Sequence, residues 1–186
     1  AVFRKTHVLT IDALEGGSVT PSPGAYVYDS GTQVTVSATP NPGWRFDHWI
    51  GADVPGSEMQ LFMDQDITLM AVFQKTYVFS IAIEGGGMTN PVPGLYTLDS
   101  GALISVTATP EPGWRFDYWI GSDVKTAQIQ VSITTDVSLV AVFRKTQVLS
   151  LSVEGGGTTN PDPGEYVCDI ETKVSVVAIA DPGWRF

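Results

Sequence analysis

The sequence predicts an all-β protein built from small modules in tandem, with no convincing helix. Three observations carry that prediction. Ala1-Val2-Phe3-Arg4-Lys5-Thr6 returns as Ala71-Val72-Phe73-Gln74-Lys75-Thr76 and as Ala141-Val142-Phe143-Arg144-Lys145-Thr146, a strict interval of 70 residues in a chain of 186. A fixed period of that kind marks a repeat array, and arrays serve reach, spacing or multivalent contact more readily than single-site chemistry. Within each copy apolar residues alternate with polar ones instead of recurring every 3.6 residues, as half-buried strands require. Gly and Pro clusters separate the alternating runs.

Each element can be read in order. Leu9, Ile11 and Ala13 are in phase, as are Phe79, Ile81 and Ile83 and then Leu149, Leu151 and Val153, with polar Thr10, Ser80 and Ser150 between them. A second strand places Val34, Val36 and Ala38 on one face, repeated as Ile104, Val106, Ala108 and as Val174, Val176, Ala178. An aromatic strand runs from Trp44 to Ile50. Met59, Leu61, Met63 (Ile129, Val131, Ile133) and Ile67, Leu69, Ala71, Phe73 (Val137, Leu139, Ala141, Phe143) form two more. Glu15-Gly16-Gly17, Pro21-Ser22-Pro23-Gly24, Asp29-Ser30-Gly31 and Pro40-Asn41-Pro42-Gly43 read as turns, since Pro fixes φ and Gly accepts positive φ. The third copy departs at Ile170-Glu171 and at Ala180, where looser turns or turns of another type are expected.

A 70-residue module lies near the lower size for independent folding, where only about 60% of the unfolded surface is buried. Its core must therefore be dense and aromatic, and Phe3, Tyr26, Trp44, Phe46 and Trp49, with Phe73, Tyr96, Trp114, Phe116 and Trp119 in the second copy, supply the material. The net charge is −10 and acidic residues outnumber basic ones in every copy. Nucleic acid and anionic lipid are disfavoured partners, because Lys/Arg clusters are lacking. No apolar run is long enough for a spanning helix, so no membrane insertion is expected. The single cysteine, Cys168, stands where the other copies have Tyr28 and Leu98 and reads as a small apolar side chain.

Residues 1–3 read as the end of a preceding repeat's closing strand, 4–74 as repeat module 1, 75–145 as module 2 and 146–186 as a truncated module 3, a window cut from a longer exported protein. No Gly/Ser- or Pro-rich linker separates the copies. About three residues, Arg-Lys-Thr, pass from one copy's last strand to the next copy's first, which predicts a stiff rod.

Glu-Gly-Gly, Pro-x-Pro-Gly-x-Tyr, a Val-x-Val-x-Ala strand, Pro-Gly-Trp-x-Phe-x-x-Trp and a closing Ala-Val-Phe together resemble the divergent internalin B-repeat family, which occurs in tandem in bacterial cell-surface and secreted proteins. The residues are Gly16-Gly17, Pro21, Gly24, Tyr26, Gly31, Val36, Ala38, Gly43, Phe46, Trp49, Gly51 and Ala71-Val72-Phe73. The resemblance implies a β-grasp-like small module in an extracellular stalk or adhesive protein, and it brings no catalytic residues.

The candidate contact residues lie on the aromatic strand: Trp44, Arg45 and Asp47, with Trp114, Arg115 and Asp117 and, in the third copy, Trp184. Strict alternation would put Trp44, Phe46 and His48 on one face and Arg45, Asp47 and Trp49 on the other, which makes an aromatic beside a charged pair, a platform on which a sugar could stack. A β-bulge would instead turn both Phe46 and Trp49 into the core and leave Arg45 to pair with Asp47 or to lie over an aromatic face. Trp44 would then serve as a ligand platform or pack against the neighbouring copy. The two histidines, His7 and His48, are replaced by Tyr77 and Tyr118 in the second copy, and no catalytic or metal-ligand spacing surrounds them. Asp29/Asp99/Asp169, Asp47/Asp117, Asp53/Asp123 and Asp66/Asp136 recur without the dense run of a calcium loop and read as turn formers or solvated charges. No enzyme activity, cofactor or metal is expected. The expected function is an extracellular structural array, a stalk, adhesin shaft or filament whose partner is itself, and the alternative is a carbohydrate- or cell-wall-binding module repeated for avidity, with a glycan as partner.

Overall fold

A computed structural model describes residues 1–186. The chain forms sixteen strands and no helix. It divides into two compact units, one made of residues 1–78 with 97–102 and 133–136, the other of 79–96, 103–132 and 137–186.

In the first unit β1 (Thr6–Ala13) lies between two partners. β3 (Gly24–Asp29) runs antiparallel to it, and the first part of β7 (Ile67–Glu84) runs parallel, with Leu9 opposite Ile67 and Ala13 opposite Ala71. β5 (Trp44–Ile50) pairs antiparallel with the same part of β7. A second sheet has the order β2 (Gly17–Thr20), β4 (Gln33–Pro40), β6 (Glu58–Phe62). The alternating residues meet in one core: Leu9 and Ile11 from β1, Val34, Val36 and Ala38 from β4, Leu69, Ala71 and Phe73 from β7, with Trp49, Met59 and Met63. Burying each large side chain contributes about 1.5–3 kcal/mol, which a unit of this size needs in order to offset chain entropy. Gly17 is required because a Cβ there would enter the Phe73 ring.

The second unit repeats the plan. β13 (Val137–Leu151) pairs parallel with Phe79–Glu84 of β7 and antiparallel with β11 (Trp114–Ile120). β10 (Leu103–Pro110) lies between β8 (Gly87–Asn90) and β12 (Gln128–Ser132). β9 (Gly94–Asp99) pairs with β7, and its last residues belong to the first unit. β14 (Gly157–Asn160) pairs with β16 (Val177–Ala180), and β15 (Gly164–Asp169) with β13.

Four expectations change. The Gly17–Thr20 and Gly24–Asp29 segments, read as part of turn regions, are strands that flank a tight reversal, and the Tyr26 hydroxyl closes it by donating to the Ser22 carbonyl at 2.7 Å. Tyr96 does the same to Val92, and Tyr166 to Asp162. The copy border is not a short connector but the interior of a strand: β7 runs for 18 residues and β13 for 15 without a break. The physical reason is unbroken phase, since Leu69, Ala71, Phe73, Phe79 and Ile81 are all buried and all on odd positions. The turn after β15 is not of another type. Glu171 takes φ 68 where Gly31 and Gly101 take 83 and 87, and Thr172 N–H donates to Asp169 O as Thr32 does to Asp29 O. Finally, the third copy's Val174, Val176 and Ala178 do not form a buried strand face. Only Val177–Ala180 is strand there, and these side chains are exposed, because no strand of the β6 or β12 type lies beside β16.

Candidate functional site

The strand that carries the candidate residues is kinked by design of its register. β5 follows β7 residue for residue from Trp44 to Phe46, slips at Asp47 and resumes at His48, and β11 does the same at Asp117. This is the bulge alternative, and the strict two-face alternation does not occur. One unpaired residue lets Phe46 and Trp49 point the same way, with ring centroids 5.7 Å apart and Phe46 edge-on to Phe73 at 6.1 Å. Trp49 is 3% exposed and Trp119 2%. Both indoles are pinned at the far end, Trp49 Nε1 donating to the Gly56 carbonyl at 3.2 Å and Trp119 Nε1 to Thr126 at 3.0 Å.

Trp44 is half-buried and lies against Gly16, and Trp114 lies against Gly85 and Gly86. Each tryptophan thus covers a glycine turn of its own copy. Trp184 sits against Gly155 and Gly156 but is 61% exposed.

Arg45 and Asp47 do come together, with Arg45 Nη1 at 2.8 Å from Asp47 Oδ1. The stronger partner is one that sequence reading had set aside as a turn former. Arg45 donates from Nε and Nη2 to the two carboxylate oxygens of Asp99, at 2.6 and 2.7 Å, a bidentate fork from one copy to the hairpin of the next. The arrangement recurs at Arg115, which meets Asp169 at 2.6 and 2.6 Å and Asp117 at 2.7 Å. Both arginines reach an aspartate 54 residues further on. No local motif announces that spacing, because Asp-Ser-Gly fully explains itself as a turn. The only clue is that each pair recurs in register with the period.

A second nitrogen-bearing side chain completes each group, and sequence reading does not find either one. In the first, His48 Nδ1 lies 2.9 Å from Asp47 Oδ2. In the second, Arg144 Nε lies 2.5 Å from Asp117 Oδ2. Electrostatics follow from these contacts. The hydrogen bond to Asp99 holds the Arg45 guanidinium above its ordinary value, with burial opposing and Asp47 adding to the rise, and Asp169 acts on Arg115 in the same sense. Asp47 is lowered by His48 and then Arg45, Asp99 by Arg45, and Asp169 by Arg115. Burial pushes Asp117 up, but hydrogen bonds from Arg144 and Arg115 outweigh it and leave it lowered.

Chemically this is a latch between carboxylates and guanidinium groups. The Arg45 donors beside Trp44 are engaged by Asp47 and Asp99. Three other recurrent aspartates are also engaged: Asp66 accepts from the Val8 N–H and Asp136 from the Val78 N–H, both at 2.9 Å, and Asp29 accepts from Arg4 Nη1 at 3.2 Å. No three His, Cys, Asp or Glu side chains are grouped to hold a metal ion.

The Divergent InlB B-repeat domain matches the chain twice, over residues 7–77 and 77–147. No curated protein matches it. The two matches abut within β7, so that the family's unit and the period of the latches coincide over most of the length, and the chain belongs to the divergent InlB B-repeat family.

Proposed function

We propose that this chain is a non-enzymatic structural spacer on the outside of a bacterial cell, a stalk, adhesin shaft or surface filament whose partners are its own adjacent repeats. The observation that carries the reading is the copy border, where β7 crosses from one repeat into the next with no linker residue and Arg45 forks onto Asp99 beside it. A border made of strand and ion pair resists bending better than a polar connector, which would behave as a flexible coil. The acidic charge and scarcity of cysteine fit an exported protein that avoids nucleic acid and anionic lipid. The engagement of Arg45 by Asp47 and Asp99 favours the spacer over repeated glycan binding, since the arginine beside Trp44 already spends its Nε, Nη1 and Nη2 donors on carboxylates of the chain itself.

The test is a distance distribution between spin labels at Thr35→Cys and Ser105→Cys in a Cys168→Ser background. The expected result is one narrow distribution that broadens when five Gly/Ser residues are inserted after Lys75. A parent chain as broad as the insertion variant would overturn the spacer. Polysaccharide binding that disappears in a folded Trp44→Ala variant would put the glycan reading in its place.

A further inference from the structure

The two latches are built from the same parts with one exchange. Asp47 and Asp117 each give Oδ1 to the arginine two residues before them and Oδ2 to a second nitrogen base. In the second latch that base is Arg144, opposite Arg115 in the β11–β13 ladder. In the first latch the cross-strand residue is Gln74, neutral and turned away toward the carbonyls of Lys75 and Ser100. Its place on Asp47 is taken by His48, where the second copy has Tyr118. The second latch therefore always sets two guanidinium groups against two carboxylates. The first sets one guanidinium against two carboxylates and reaches the same balance only when His48 carries a proton.

We propose that the first latch is a pH-responsive junction and the second a permanent one: protonating His48 supplies beside Asp47 the cation that Arg144 always supplies beside Asp117. The inference rests on the spacer reading for its biological meaning, as a way to tighten one copy border and not the other. Histidine is the side chain whose charge changes between about pH 5 and 8. His48 is 54% exposed on its side chain, so a proton can reach it. The charged groups around it are few. On its own strand they are Arg45 and Asp47. β7 brings Val72 opposite it, with neutral Gln74 and with Lys75, whose Nζ lies over the Tyr77 ring at 5.2 Å. β9 brings Asp99, and β4 carries no charged residue. Asp47 and Asp99 stay ionised through mild acid, because His48 and Arg45 hold the first, and Arg45 the second, below the usual carboxylate range.

The experiment reads the latch locally. Exchange of the Arg45 Nε–H with water is measured by NMR in the intact chain, normalised to its intrinsic pH dependence, with Arg115 Nε–H in the same molecule as the comparison. Between pH 7.5 and 5.5 protection at Arg45 is expected to rise about two- to fivefold, the size of one added, partly exposed ion pair, while protection at Arg115 stays constant. The double variant His48→Tyr/Gln74→Arg, which transplants the second latch into the first, should make Arg45 as flat as Arg115. A flat Arg45 in the parent chain, or a rise shared equally by Arg115, overturns the proposal. The two readings fail separately: flat protection sinks the pH response whatever the spin-label distances are, and broad distances sink the spacer whatever Arg45 does.

Discussion

The two ends of β5, five residues apart, live in different physical regimes. At one end Trp49 is enclosed, with its ring against Phe46 and its indole N–H tied to a loop carbonyl. At the other, Trp44 covers a glycine turn from a half-exposed position and Arg45 reaches to a hairpin of the following copy. The bulge at Asp47 is what allows one short strand to do both, because it reverses the facing of everything after it. Burial holds the module together, whereas the open end carries an ionic contact from Arg45 to Asp99 in the hairpin of the following copy.

The comparison can be broken most forcefully at the buried end. Trp119→Ala removes a fully enclosed indole and should cost about 3–5 kcal/mol, a large share of the roughly 5 kcal/mol available to a small domain. Urea unfolding should show the second copy melting first, and an unchanged midpoint would mean that the enclosed end is not the module's anchor. Next in size is a glycine contrast. Gly51 has φ 97 and a Cβ on it would run into the Thr68 carbonyl, whereas Gly113 has φ 80 and open space around it. Gly113→Ala should cost about 1 kcal/mol from its left-handed backbone alone, and Gly51→Ala clearly more, both read by thermal melting. Equal losses would show that crowding at the buried end does not matter.

A pH series sharpens the ionic end. Asp47, Asp99, Asp117 and Asp169 are all lowered in the folded chain, so the unfolded chain binds protons first. Their stabilisation is present above the ordinary aspartate value of about 3.9 and is lost as pH falls through the lower folded values. The melting temperature should hold from neutral pH down to about 4 and then drop, less steeply in Asp99→Asn. An Asp99→Asn variant with the same acid slope as the parent would remove the latch from the account. The smallest effect is expected for Arg45→Ala, less than about 1 kcal/mol in global stability because the fork is partly exposed, although the spin-label distribution should widen. A loss comparable to that of Trp119→Ala would erase the distinction between the two ends.

Much of the module was legible because its signals are local. Leu9, Ile11, Val36 and Leu69 announce strands by alternation and the structure buries all four. Phe46 and Trp49, three apart, already contain the bulge as an alternative to simple alternation. What stayed hidden was long-range. Asp99 and Asp169 look complete as turn residues, so nothing in their neighbourhood calls for an arginine 54 positions earlier. Arg144 and His48 were hidden for a related reason: they fill one role from different positions, one across the ladder and one along the strand, and position-by-position comparison of the copies scores that as two unrelated differences. The strands at Gly17–Thr20 and Gly24–Asp29 were obscured by Gly and Pro, whose turn chemistry is real but occupies only the residues between them.

The uninterrupted β7 bears on how such a gene can change. Side chains in a strand alternate, so adding or removing one codon anywhere between Phe73 and Phe79 would break the single phase that the buried residues on the two sides of the border share, as a reading-frame slip does to a message. A linker would absorb such an event freely, whereas a continuous strand can take it up only as a bulge. Lineages carrying this chain should therefore gain or lose copies by recombination in whole multiples of 70 residues, with crossover points free to fall anywhere in the period, while small insertions collect in loops such as 51–57, away from the border.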